Sequence, residues 1–206
     1  MDIGALLKSL IYLISSSLLY PVLFLLVTLT LFILIYSGSF FAEWLERVRL
    51  FKCSPEELPR AIKNPDKRQI FTYRVQAYIN NLRDLLAKEG QTAEVELENI
   101  LQESSLSLWK STDRIGMIIR IGPGLGLIGT LIPMGTGLAA LGQGDMTRLS
   151  SDLVIAFTTT VVGLAVGIVA YFFHTIKKRW VEEDIKNMEL ATEMLASKIL
   201  EKEGGG

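Results

Sequence analysis

The chain has one cysteine, Cys53, and one histidine, His174, among its 206 residues. A lone cysteine excludes an intrachain disulfide. So small a stock of soft and imidazole ligands leaves no histidine- or thiolate-based metal site, and no metal or other cofactor is expected. Charge of one prevailing sign is also missing, with 21 basic residues against 22 acidic ones. A nucleic-acid-binding surface needs a basic surplus, so no nucleic-acid partner is expected. There is no solenoid-length repeat and no low-complexity tract. The opening stretch MDIGALLKSLIYLISSS carries too little positive charge for a signal peptide, and no small-residue cleavage site follows it at the right distance.

The most informative absence is local. No charged residue occurs in 9–42, a run of 34, nor in 121–144 or 153–176, each a run of 24. A helix needs about 20 apolar residues to cross the hydrocarbon core of a bilayer. Half of the chain is hydrophobic (50%). These runs predict an all-α integral membrane protein with three transmembrane helices, a helical cytoplasmic loop and a helical C-terminal tail. Helices are required because lipid offers no partner for an unpaired backbone group.

The last two runs, GPGLGLIGTLIPMGTGLAALG and LVIAFTTTVVGLAVGIVAYFFH, are joined by the short polar link QGDMTRLSSD. So short a link predicts an antiparallel helical hairpin. Small residues let membrane helices approach closely, and Gly122, Gly126, Gly129, Gly163 and Gly167 are the expected packing positions. Thr130, Thr136, Thr158, Thr159 and Thr160 lie at membrane depth. A hydroxyl there either bonds its own helix, a neighbouring helix, or water in a pore. Gly124-Leu125-Gly126-Leu127-Ile128-Gly129 fits the letters of a dinucleotide-binding GxGxxG. It lies in an unbroken apolar run, not in a βαβ unit, and no Walker lysine follows, so that reading is rejected.

Reading from the N-terminus, residues 1–19 are expected to form an interfacial helix and 20–42 the first span, with Pro21 at the joint. Tyr20, Tyr36 and Trp44 suit interfacial anchors. Residues 43–119 are polar, with 13 basic and 12 acidic residues over 43–120. Ser54-Pro55-Glu56-Glu57 reads as an N-cap followed by a capping-box glutamate. A helix is predicted over about 66–88, with Ile70, Tyr73, Ala77 and Leu82 as its apolar stripe. Glu89-Gly90 ends it, and Thr92 caps a second helix carrying Val95, Leu97, Ile100, Leu101, Leu106, Leu108 and Trp109. With no breaker before Gly116, that helix runs on into the second span. Together they form a cytoplasmic helical hairpin. No nucleophile–base constellation occurs in it, so no enzyme is expected. The second span is placed at 120–142, the outer link at 143–151, the third span at 152–176 and a tail helix at 177–206.

Basic residues set the orientation. Arg47, Arg49, Lys52, Lys110, Arg114, Arg120, Lys177, Lys178 and Arg179 fall on one side of three spans, and only Lys8 and Arg148 on the other. The N-terminus and the 143–151 link are therefore expected outside, and the loop and C-terminal tail in the cytoplasm of a multi-pass protein of the cell (inner) membrane.

The run Gly122-Pro123-Gly124-Leu125-Gly126-Leu127-Ile128-Gly129-Thr130 and the run Ala156-Phe157-Thr158-Thr159-Thr160-Val161-Val162-Gly163-Leu164-Ala165 resemble the second- and third-span motifs of the MotA/TolQ/ExbB proton-channel family. The layout resembles most closely its short ExbB/TolQ branch. The resemblance implies a homo-oligomeric ring, usually a pentamer, in the lipid bilayer. The ring surrounds single-span partners of the ExbD/TolR/MotB kind that carry an essential aspartate. It also implies proton or sodium flow coupled to mechanical work. By position, Thr130 and Thr160 match the pore threonines of the second and third spans, and Thr159 beside Thr160 is placed on the same ion pathway. One departure is Ile155, where many relatives carry glutamate; the nearest carboxylate is Asp152. Two other readings stay open: a non-conducting scaffold of the same fold, and half of a secondary transporter with helices broken at Pro123 and Pro133.

Overall fold

The computed structural model describes residues 3–49, 71–88 and 93–203. Five helices occur among them: α1 (Ile3–Ser17), α2 (Leu19–Arg49), α3 (Tyr73–Lys88), α4 (Ala93–Leu141) and α5 (Met146–Glu203). No strand occurs among the described residues, and three helical stretches are long and apolar enough to cross a membrane. The protein is thus an all-α, multi-pass membrane protein. The capping box expected at Ser54 to Glu57, the stripe residue Ile70 and the signals at Glu89, Gly90 and Thr92 lie outside the described residues, as does Cys53.

The break between α1 and α2 falls at Leu18, slightly before the expected joint. Pro21 has no N–H and its ring crowds the carbonyl four residues back, that of Ser17, which favours a break there. Leu18 N–H instead shares the carbonyls of Ile14 and Ser15, both at 3.2 Å, and Pro21 takes a first-turn position of α2. By contrast, α4 runs 49 residues without a break despite Pro123 and Pro133. It joins the predicted loop helix to the second span, as the lack of a breaker before Gly116 suggested. Likewise the third span and the tail are one helix of 58 residues, α5.

The chain divides into two compact units. Unit 1 comprises Met1–Gly38 and Arg114–His174; unit 2 comprises Ser39–Asp113 and Thr175–Gly206. The charge-free runs fall almost wholly in unit 1. Within it, α2 buries Val22, Leu26 and Ile33, four and seven residues apart, and leaves Phe24, Val27, Leu31, Leu34 and Ile35 exposed. One narrow stripe thus packs inward and the rest suits lipid. Tyr36 packs its ring between Phe32 and Phe173, with centroids 6.3 and 5.9 Å away.

Unit 2 has an ordinary hydrophobic core. Phe71, with Val75, Tyr78, Ile79 and Leu82 of α3, meets Leu97 and Leu108 of α4 and Val181, Met188 and Ala191 of α5. This corrects the predicted α3 stripe. Leu82 is buried, but Tyr73 is 76% exposed. The stripe through Val75 and Ile79 gathers bulkier apolar side chains than the one through Tyr73 and Ala77. A fully buried Val, Leu, Ile or Phe contributes about 1.5–3 kcal/mol, so the larger stripe wins the core face. Leu106 is also exposed, at 63%. Tyr78 donates or accepts a 2.7 Å hydrogen bond with Thr192, while burial pushes its phenol upward from the usual value.

Candidate functional site: the α4–α5 hairpin

The hairpin is closed by a turn whose chemistry is local. α4 ends at Leu141, and Gly144 adopts φ of 80°, a left-handed conformation that favours glycine. Asp145 N–H bonds the Ala140 carbonyl at 3.0 Å and Gly144 N–H the Leu141 carbonyl at 3.0 Å, the paired bonds of a Schellman ending. Asp145 then caps α5: its carboxylate accepts from Arg148 N–H at 2.9 Å. Most of the polar link is therefore the first turns of α5, not loop.

Below the turn, glycines form a seam. A β-carbon placed on Gly163 would lie 2.7 Å from both the Gly122 carbonyl oxygen and the Gly126 α-carbon. One on Gly126 would lie 3.1 Å from the Thr159 carbonyl oxygen, and one on Gly122 3.2 Å from the Gly163 carbonyl oxygen. Gly167 makes room for the Pro123 ring, whose Cγ would stand 2.7 Å from an added β-carbon. At Gly129 the neighbour is Thr159, with Cβ at 2.8 Å and Oγ1 at 2.9 Å of such a carbon. All five glycines named from the sequence thus lie in one seam. Gly124 and Gly135 are different, since a β-carbon on either meets nothing within 4 Å.

The three threonines separate into two settings. Thr159 is 5% exposed, inside the seam, and its hydroxyl donates to the Ala156 carbonyl at 2.9 Å, with that of Ile155 at 3.0 Å. Thr130 and Thr160 are half-buried beside it. The Thr130 hydroxyl donates to the Leu127 carbonyl at 2.6 Å, and that of Thr160 to the Ala156 carbonyl at 3.3 Å. Each hydroxyl's proton is committed to its own helix, which leaves oxygen lone pairs as acceptors.

One contact was not read from the sequence. The Thr136 hydroxyl donates to Asp152 Oδ2 at 2.7 Å, across from α4 to α5, with the Pro133 carbonyl at 3.1 Å. Asp152 also lies against Gly137: a β-carbon there would stand 3.3 Å from Asp152 Cβ. Both residues had been noted singly, Thr136 for its depth and Asp152 as the carboxylate nearest Ile155. Among the described residues, no group of three or more His, Cys, Asp or Glu is placed to hold a metal ion.

Residues 66–190 match the model of the MotA/TolQ/ExbB proton channel family, more than half of the chain and both apolar runs of this hairpin. The chain belongs to that family. It is also 29% identical over 105 residues to a protein of Methanothermobacter thermautotrophicus described as a putative biopolymer transport protein ExbB homolog. That match covers 50% of this chain and 38% of the relative, so the chain matches well under half of that protein's length. No solved structure matches the chain.

Proposed function

We propose that this chain is the ion-conducting subunit, for protons or sodium, of an energy-coupling motor in the cell membrane. It forms a homo-oligomeric ring, a pentamer, around single-span partner helices of the ExbD/TolR/MotB kind. Ion flow at the interface with the partner is converted into mechanical work. The N-terminus lies outside and the C-terminal tail in the cytoplasm. The observation that carries this reading is the family match over 66–190, which includes a glycine seam flanked by Thr130 and Thr160. A hydroxyl whose proton is held by its own helix can still ligate a cation or water through its oxygen. Thr159 holds the spacing of the two helices from within the seam. No acid stands between Asp152 and Lys177, so the partner supplies a carboxylate beside these hydroxyls.

A non-conducting scaffold is the second reading. It is favoured by Ile155 and by the bonds of all three hydroxyls to their own helix. Flux through the wild type separates the two, and valine at Thr130 or Thr160 tests the hydroxyls, since it keeps shape and removes them. Loss of a ligand of this kind, worth about 1–1.5 kcal/mol, predicts a roughly tenfold fall in flux with the oligomer intact. The assay is proton and sodium flux into vesicles holding the chain with the single-span protein that co-purifies with it. Undiminished flux in both variants would assign the threonines to structure, and a wild-type chain that passes no ions would favour the scaffold.

A further inference from the structure

Ion flow needs a group that takes up the cation where it enters, and the hairpin contains one carboxylate suited to this. We infer that Asp152, held by Thr136, is the site that loads the translocated monovalent cation at the turn end of the hairpin. The inference rests on the channel reading above and assigns that reading a residue.

The argument is one of placement. Asp152 lies six residues beyond the start of α5 at Met146, about 9 Å along the helix at 1.5 Å per residue. It is therefore below the turn but at the mouth of the charge-free run. It is half-buried, whereas Asp145, the other described carboxylate of unit 1, is exposed and occupied in capping α5. Gly137 lets the base of this side chain sit close to α4: a β-carbon there would stand 3.3 Å from Asp152 Cβ. Thr136 supplies one hydrogen bond to Oδ2 and so fixes the carboxylate's position without neutralising it. Among the residues whose side chains are described, no cation is paired with it. The facing helix carries no charge between Arg120 and Asp145, and α2 none over 19–42. On its own helix the nearest charge is Arg148, one turn earlier and exposed, and no ion pair joins the two. A half-buried carboxylate with one hydroxyl partner and no counter-ion among the described side chains has a lone pair free for a proton or sodium ion. The competing role is a latch, in which the Thr136–Asp152 bond merely ties the two helices together.

Asp152→Asn separates the two, because the amide oxygen still accepts from Thr136 while the charge is gone. The expected result is an intact oligomer whose flux in vesicles, with the co-purifying single-span protein, is abolished. Asp152→Glu, which keeps the charge, retains part of the flux. A second readout uses the full chain alone in detergent with dicyclohexylcarbodiimide, which modifies protonated carboxyls, and peptide mass measurement. Labelling at Asp152 that falls as pH rises or sodium is added supports cation loading. Wild-type flux that Asp152→Asn leaves unchanged overturns the assignment and leaves the channel reading standing. Absence of labelling at every pH also overturns it. A wild-type chain that passes no ions overturns the channel reading, and the loading site with it.

Discussion

A leucine at Gly163 is expected to prevent α4 and α5 from closing into their hairpin. The atoms that a β-carbon would meet at 2.7 Å are the Gly122 carbonyl oxygen and the Gly126 α-carbon. Both are backbone, so no side chain can rotate away and the helices themselves must separate. Overpacking a well-packed site costs typically about 1–3 kcal/mol, and a backbone neighbour puts this position at or above the upper end. The loss is not confined to one contact. In lipid no hydrophobic force draws helices together, so separation forfeits the van der Waals contact of the whole seam. Leucine at Gly124 is the internal control, since nothing lies within 4 Å of its added carbon. Gly163→Leu is expected to give little protein of native size in mild detergent, with a lowered melting temperature. Gly124→Leu is expected to keep the hairpin. Equal melting of both variants with the wild type would mean the seam does not hold the helices.

The seam was legible because it depends on position in the sequence more than on detail. In an antiparallel hairpin, residues equidistant from the turn face each other. Gly129 and Thr159 lie fifteen residues either side of Gly144, and Thr136 and Asp152 eight either side. The glycines stood out by composition, so the packing face could be named before any contact was known. The Thr136–Asp152 bond obeys the same symmetry and was missed because neither residue is unusual alone. The continuity of α4 was readable from the absence of a breaker, and that of α5 was not. Lys177-Lys178-Arg179 marks the end of an apolar run but does nothing to stop a helix.

Unit 2 was less legible for a different reason. Its helices were expected, but the face of α3 was misjudged. Tyr73 and Ala77 have the right period, yet so do Phe71, Val75, Tyr78, Ile79 and Leu82, and periodicity alone does not choose between overlapping stripes. Nor does local sequence pair Arg47 with Asp184, 137 positions apart. Such pairs form where helices that are distant in sequence meet, and only the assembled core brings them together.

That pair carries the second large effect. Arg47→Met is expected to destabilise the chain by about 3–5 kcal/mol, the usual cost of stranding one buried charge. The Asp184 side chain is 1% exposed and that of Arg47 12%, and their Nη2 and Oδ2 atoms are 2.5 Å apart. Thr72 donates to Asp184 Oδ1 at 3.2 Å. The guanidinium sits 5.0 Å over the Trp180 ring, which stacks on Phe40 at 5.0 Å. Burial pushes the Asp184 carboxyl above its usual value, and Arg47, then Thr72, oppose that only in part. A carboxyl raised in the folded state stabilises most fully below its unfolded value, and that contribution is lost as pH rises through the folded one. Two signs follow. Relative to Asp184→Asn, the wild type should gain stability as pH falls from neutral through the carboxylate range. The cost of Arg47→Met should shrink over the same range, because the stranded carboxylate becomes neutral. The double variant Arg47→Met with Asp184→Leu should recover most of the loss at neutral pH, since apolar replacements of a buried pair are often neutral or better. Thermal melting in mild detergent, followed by tryptophan emission at two pH values, measures all three. A cost near the 0–1 kcal/mol of an exposed pair, unchanged by pH, would show that the Arg47–Asp184 contact does not hold unit 2 together.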